Sequence, residues 1–332
     1  MGSYSGRHGL DNEGLLKGIT TEIPLCIQRS GIFHGGESVM RQIVFQVPAQ
    51  YDGVTLRGFL RGFCELSARQ TAKLKRLPGG LLRNGFPVIA PDILHAGDEI
   101  RITFPEDKKM PVPAAYSLRV LFEDESLLAV DKPSGMPMYP CPGHDCDSLA
   151  NAAAYYWQQS DKRYAYRPIY RIDKDTTGVV LLAKDPYTAA RLSGSVRKTY
   201  LAVCEGRLRG SGVINNPIGL KPGHTIQRAV MPDGQRAVTQ WRTVWSGPAL
   251  SMIAVHLKTG RTHQIRVHFS SMGHPLAGDD MYGGDINLIP RQALHCAEAR
   301  FRHPLSCKMV RICSSLPEDM GRLVKCNKNN HE

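Results

Sequence analysis

Residues 171–183 read RIDKDTTGVVLLA. The first eight, RIDKDTTG, are polar and close on a glycine, and the next five, Val179–Ala183, are an unbroken apolar run of strand length. The segment therefore reads as a loop feeding a buried strand, a usual setting for functional residues. Upstream of this loop, RVLFEDESLLAVDKPSG (119–135) predicts a hairpin, with apolar strands at Val120–Phe122 and Leu127–Val130 across the polar EDES turn. Further strand-like runs follow at TYLAVCEG (199–206), AVTQWRTVW (237–245), MIAVHL (252–257) and HQIRVHF (263–269). Helices between them are few, the clearest being DPYTAARLSG, with Asp185 as cap and Pro186 in the first turn. Strands in series with few helices predict an α+β domain on a large, mainly antiparallel mixed sheet, spanning 117–318, with 319–332 as a C-terminal tail.

Upstream the pattern changes. Residues 1–40 are Gly-rich without sustained periodicity and read as an irregular extension. From residue 41 a small α+β module is expected, running to 107. Leu56, Phe59, Leu60 and Phe63 stand at helical spacing, and SARQTAKLKRL starts a second helix behind Ser67. Between Arg57 and Arg83 there are seven basic residues (Arg57, Arg61, Arg69, Lys73, Lys75, Arg76, Arg83) against Glu65 alone, a local net of +6. An RNGFPV turn and an HAGDEIRITFP strand complete the module, and KKMPVPAAY (108–116), with two prolines, reads as a linker.

The whole chain of 332 residues carries 42 Lys+Arg against 30 Asp+Glu, a formal net charge of +12. With no apolar stretch of about 18 residues to span a membrane, that excess favours a nucleic acid over a lipid surface. The first 40 residues lack a signal peptide's apolar core, and Asp11, Glu13 and Glu22 are out of keeping with a transit peptide, so a cytoplasmic location is expected. Nine scattered cysteines without paired spacing read as reduced thiols. PCPGHDC (140–146) offers Cys141, His144 and Cys146 as a metal half-site but has no second half at usable spacing, and it fails the PCxxC pattern of zinc deaminases. No metal is expected.

Several motifs stand in order along the chain: DKPSG (131–135), RIDKDTTG (171–178), KTYLAVCEG (198–206), GRTHQIRVHF (260–269), HPLAGDDMYGG (274–284) and RQALHC (291–296). Together they resemble the RluA family of pseudouridine synthases over roughly residues 117–310, and residues 41–107 resemble the α-L RNA-binding module named after a small-subunit ribosomal protein. The RluA signature is Arg-Leu-Asp, two variable residues, then Thr-Ser-Gly. This chain departs from it with Ile172 for Leu, Thr177 for Ser, and Tyr170 where the family usually has His. The resemblance implies an isomerase that converts uridine to pseudouridine in structured RNA, with rRNA the first expectation and tRNA the second, without a cofactor. Nothing in the sequence suggests an obligate oligomer, so a monomer is expected.

The chemistry explains the residue types. The bond from the sugar's anomeric carbon to a ring nitrogen must break, the uracil must turn, and a ring carbon must take the nitrogen's place. A carboxylate is needed that can bond to an electrophilic carbon or deprotonate the sugar. The resemblance puts Asp173 in that role. A buried carboxylate tends to gain a proton, so a cation must stand beside it. Arg266 matches the family arginine that does so. Period-two alternation in THQIRVHF puts Thr262, Gln264, Arg266 and His268 on one face of a strand and Ile265, Val267 and Phe269 on the core face. Tyr200 corresponds to the family tyrosine that stacks on the flipped uracil and takes part in late proton chemistry. Arg171 is the expected wedge filling the gap left by the flipped base, and Arg261 the expected phosphate contact. His256, His263, His268, His274 and His295 are too dispersed for a metal site and read as structural or RNA-facing.

Two other classes compete. A catalytically silent RNA-binding or ribosome-assembly factor would account for the basic module alone. A hydrolase with paired carboxylates would use Asp173 and Asp175, which are close neighbours in one loop and so expected to point apart.

Overall fold

The computed structural model describes residues 29–35, 38–105 and 110–329. The first body is a five-stranded sheet, in the order β1-β2-β5-β3-β4, built from β1 (Arg29–Gly35), β2 (Ser38–Gln46), β3 (Leu81–Arg83), β4 (Phe86–Pro87) and β5 (Glu99–Phe104). Two short helices lie between β2 and β3: α1 (Leu56–Gly62), capped by Thr55, and α2 (Ala68–Lys75), which opens on a capping box of Ser67 and Gln70. The expectation that residues 1–40 are irregular fails for Arg29–Gly35 and Ser38–Met40, which form an antiparallel ladder. The partner in register, β2, lies partly inside the segment read as extension, so period alone does not show the pairing. Residues 1–28 of that extension, and Lys108 and Lys109 of the linker, lie outside the described residues.

The second body is a nine-stranded sheet. Its strands are β6 (Arg119–Glu123), β7 (Leu127–Lys132), β8 (Thr177–Ala183), β9 (Arg197–Glu205), β10 (Ser211–Ile214), β13 (Thr239–Ser246), β14 (Leu250–Leu257), β15 (Leu294–Arg302) and β16 (Met309–Cys313), while β11 (Ile218–Leu220) and β12 (Arg228–Val230) form a separate hairpin. The path runs β10-β13-β14-β9-β15-β8-β7-β6, with β16 on β15. Every pair is antiparallel except β15 with β8, so the sheet is mixed and mainly antiparallel as expected. β8 is buried along its whole length, which is why its sequence is continuous rather than alternating. Helices α3 (Leu149–Gln158), α4 (Pro186–Leu192), α5 (Gln264–Ser271) and α6 (Glu318–Asn329) complete it. The segment read as a C-terminal tail is thus helical, anchored by Met320 and Leu323 in an apolar cluster with Val203, Leu250 and Met252.

HQIRVHF is a helix, not a strand. Residues Gln264–Phe269 of α5 are all buried, so exposure carries no period. The alternation arises because the polar members are hydrogen-bonded indoors: Gln264 to Val238 O and Thr239, His268 to Thr239 and Asn216 O, Arg266 to Asp279. Polar residues satisfied inside a core mimic a solvated strand face.

The two bodies are packed together. Phe45 meets Tyr187 edge-on at 5.7 Å, and Tyr187 and Leu305 belong to the first body's apolar core. Arg41 Nε lies 3.0 Å from the buried Asp185, its Nη2 donates to Ser126 Oγ at 3.1 Å, and Arg191 pairs with Glu65. The proline-bearing connector is also tied down, since Asn151 donates to Val112 O at 2.8 Å.

Candidate active site

The loop ahead of β8 turns at Asp173, whose carbonyl accepts the Thr176 N–H at 3.1 Å. Gly178 closes the turn at φ +109°, and a Cβ there would stand 2.2 Å from Cys296 O on β15, so only glycine lets β8 come this close to its parallel neighbour. This loop forms one wall of an open cleft at the end of the sheet. Its lining brings together Arg171, Asp173 and Thr176 from the loop, Tyr200 from β9, Arg261 and His263 from the turn before α5, and Arg266 from α5. Asp175 is absent from that lining.

Arg266 is the centre of charge. Its Nε and Nη2 each donate to the fully buried Asp279 at 2.7 Å, and Nη1 lies 3.5 Å from Asp173 Oδ2. The Tyr282 ring covers the guanidinium at 4.9 Å. Burial acts against the charge, but the hydrogen bonds to Asp279 and the two carboxylates outweigh it and hold the proton more firmly than in water. Asp173 is therefore faced by a permanent cation in a fixed orientation while its own side chain stays about a quarter exposed, open to an incoming group.

Tyr200 is buried and lines the cleft across from Cys296, its partner in the β9–β15 ladder. Burial, with Cys296 and Asp173 adding to it, pushes the Tyr200 hydroxyl well above its ordinary range, so the group stands as a neutral phenol. Tyr170, the departure from the family pattern, donates to Val179 O at 2.9 Å and carries the Lys198 ammonium over its ring at 4.4 Å. It props the loop from behind. His263 takes a left-handed conformation at φ 58° as the residue ahead of α5, and its Nδ1 is 2.8 Å from Tyr282 Oη. Burial lowers its pKa although Asp173 pulls the other way.

One buried cation supports the loop from below. Lys132, in DKPSG, is fully buried and donates to the carbonyls of Pro133, Met136 and Lys174 at 2.8, 2.8 and 2.6 Å. Its burial pushes the ammonium down to about 7, opposed by the charges of Asp175 and Asp173.

Residues 126–271 match the family model described as RNA pseudouridylate synthase. The uncharacterized RNA pseudouridine synthase YjbO of Bacillus subtilis is 37% identical over 78% of this chain and 95% of its own length. This chain belongs to the RNA pseudouridine synthase family. The ribosomal large subunit pseudouridine synthase D of Nitrosomonas europaea is 36% identical over 70% of this chain and 72% of its own. A solved structure titled Human RNA Pseudouridylate Synthase Domain Containing 1 aligns with a TM-score of 0.51 at 22% identity, over 64% of this chain and 95% of that one, a likeness of fold. The RluA resemblance read from the motifs is upheld, and with it an isomerase acting on RNA uridine. Among the described residues no helix is long and apolar enough to cross a membrane.

Within this pseudouridine synthase the residues singled out in sequence fall into two groups. Asp173, Tyr200, Arg266, Arg171 and Arg261 share the cleft, Arg171 and Arg261 at its exposed rim, with Arg261 Nε donating to Arg236 O at 3.1 Å. Arg266 is carried by a helix instead of a strand, and it is buried at the wall of the cleft instead of standing on a solvated polar face. The basic residues of the small module stand apart from the cleft lining. Arg57, Arg61, Arg69, Lys73, Lys75 and Arg76 are exposed, whereas Arg83 is half-buried and spends a guanidinium N–H on Ile93 O at 2.7 Å. Sequence reasoning missed Asp279. Asp279 stands in the quoted HPLAGDDMYGG, but the need for a second carboxylate follows only from the burial of Arg266, which the strand reading concealed.

Proposed function

We propose that the synthase converts specific uridines to pseudouridine with Asp173 as the nucleophile, on rRNA in the first instance and on tRNA as the second reading. The observation that carries this is the Asp173–Arg266 arrangement: a carboxylate at the mouth of the cleft, faced at 3.5 Å by an arginine that a second carboxylate has already oriented. The flipped uridine would enter between Asp173 and Tyr200, with the sugar's anomeric carbon toward the carboxylate. Asp173 bonds to the anomeric carbon or removes the neighbouring sugar proton. By either route the bond to the glycosidic nitrogen breaks and its electron pair leaves with the uracil. The uracil turns and bonds through a ring carbon, that carbon's proton ending on a ring nitrogen while Asp173 is released or returns its proton to the sugar. The neutral Tyr200 phenol offers a stacking face and a proton to pass, and its raised proton affinity works against a phenolate acting as base. Arg171 at the rim would fill the space left in the RNA, and Arg261 would meet a phosphate. The reaction is an internal exchange of one carbon–nitrogen bond for a carbon–carbon bond, so it consumes no cofactor.

The exposed cations Arg57, Arg61, Arg69, Lys73, Lys75 and Arg76, with Arg83 in a lesser part, would bind RNA backbone away from the target nucleotide. The rRNA reading draws on relatives named ribosomal large subunit pseudouridine synthase D. A monomer in the cytoplasm completes the proposal. The hydrolase reading is disfavoured because Asp175 does not share the cleft. A pseudouridine map of total RNA from cells with and without the protein tests the substrate: sites lost from rRNA support the reading, sites lost from tRNA alone replace it with the second, and an unchanged map favours the silent RNA-binding factor.

A further inference from the structure

The chain between Ile289 and Leu294 runs between the two loops that carry the charged centre. On one side Gly278, next to Asp279, packs so tightly that a Cβ would stand 2.1 Å from Arg291 O and 2.2 Å from Ile289 O. On the other side the Arg291 guanidinium reaches the loop of Asp173. Its Nη1 donates to Gln292 O at 3.0 Å and, more distantly, to Asp175 O at 3.4 Å and Leu294 O at 3.5 Å. Gln292 adds a contact of 3.4 Å to Thr176 Oγ1. Leu294 itself lines the cleft. Arg291 is buried, so its charge needs a partner, and the partner comes from α6: Asp319 accepts from Nε at 2.7 Å and from Nη2 at 2.9 Å. This fork leaves Nη1 as the arm toward the Asp173 loop, as Asp279 leaves one arm of Arg266 for Asp173 itself. α6 is fixed in place by Met320 and Leu323 rather than by this ion pair alone.

We propose that Asp319 of α6, acting through Arg291, is a positioning residue of the synthase: the C-terminal helix orients the guanidinium that sets the backbone of the turn following Asp173. The inference rests on Asp173 being the reacting carboxylate. Neither Asp319 nor Arg291 lines the cleft, so the pair acts on rate and not on RNA affinity. Asp319→Asn halves the acceptor fork and frees Arg291 to turn. Arg291→Lys keeps a charge but cannot bridge Asp319 and the loop carbonyls at once.

Three variants are measured for single-turnover rate, RNA Kd and thermal midpoint: Asp319→Asn, Arg291→Lys, and the double variant Arg291→Met/Asp319→Leu, which leaves neither charge stranded. Glu318→Gln, which breaks only the exposed Glu318–Arg322 pair on the same helix, is the control and keeps the wild-type rate. The expected result is a rate loss of roughly 10- to 100-fold in both single variants with Kd unchanged. The double variant regains thermal stability while its rate stays low. Recovery of the rate together with stability in the double variant overturns the proposal and makes the pair a plain structural bridge. A single variant that is stably folded and turns over within about two-fold of wild type overturns it as well. An Asp173→Asn variant run alongside separates the two readings. If it is active, the premise about Asp173 fails; if it is inactive and Asp319→Asn is not, only the positioning role fails.

Discussion

Asp279 grips Arg266 with both carboxylate oxygens at 2.7 Å, and the grip leaves one guanidinium arm, at 3.5 Å, for Asp173. A cation shared unequally between a buried carboxylate and a partly exposed one serves two needs. The buried partner fixes its direction, and the partly exposed one, which faces the cleft, is the carboxylate proposed to meet the substrate. Asp279→Asn should therefore lower the rate by roughly 10²-fold through misalignment of Arg266, and Asp279→Ala should also cost about 3–5 kcal/mol of stability by leaving a buried charge short of its partner. Chemical denaturation and single-turnover assays of the two variants check both effects. A stable, fully active Asp279→Asn would mean that Arg266 needs no second carboxylate.

Tyr200→Phe keeps the ring in the cleft and removes a hydroxyl that burial already holds in its neutral form. A drop of about 10²–10⁴-fold is expected if the hydroxyl hands on a proton, and Tyr200→Ala should fall further because the stacking face goes too. Wild-type turnover by the Phe variant would confine Tyr200 to stacking.

Lys132 predicts opposite pH trends for activity and stability. Burial lowers its pKa in the folded protein to about 7, against 10.5 in a free side chain. Between those values the unfolded chain holds the proton and the folded one does not. The unfolded state then binds more protons, so this group's contribution to stability grows as pH rises from about 7 toward 10.5 and is lost as pH falls through 7. Activity should run the other way, since an amine offers one donor fewer to the carbonyls of Pro133, Met136 and Lys174, and the Asp173 loop loosens. Thermal midpoints and rates of wild type and Lys132→Met from pH 6 to 10 isolate the group by difference. Parallel profiles in the two proteins would contradict the assignment.

Much of this site is legible in the amino-acid chain alone. RIDKDTTG reads as a loop because its polar residues abut an apolar run, and Tyr200 falls on a strand because TYLAVCEG is long and apolar. The motif puts Arg266 in the site, but alternation puts it on the wrong element, since Gln264, Arg266 and His268 are buried with partners supplied by distant segments at Asn216, Thr239 and Asp279. Those partners arise only from tertiary folding. The same applies to α6, whose Asp319 meets Arg291 twenty-eight residues away in sequence, and to the packing of Phe45 on Tyr187, which a proline-bearing connector conceals.

That packing changes how the basic face should be tested. Removing residues 1–107 would uncover Tyr187 and Leu305 and strand Asp185 without Arg41, so loss of function in a truncation would be ambiguous. Replacing Arg57, Arg61, Arg69, Lys73, Lys75 and Arg76 by Gln leaves the fold alone, as all six are exposed. Affinity for structured RNA should fall, and each phosphate interaction removed should flatten the plot of log affinity against log salt by about 0.7 to 0.9. An unchanged slope would mean a merely solvated face.

The most direct test of the account is the turnover of Asp173→Asn on RNA that the wild-type protein modifies. The amide keeps the shape of the carboxylate beside Arg266 but can neither attack carbon nor accept a sugar proton. Pseudouridine formation should fall by roughly 10⁴-fold or more while the thermal midpoint and RNA affinity stay near wild type. Near-normal pseudouridine yield from the Asn variant would contradict the assignment of Asp173 as the nucleophile.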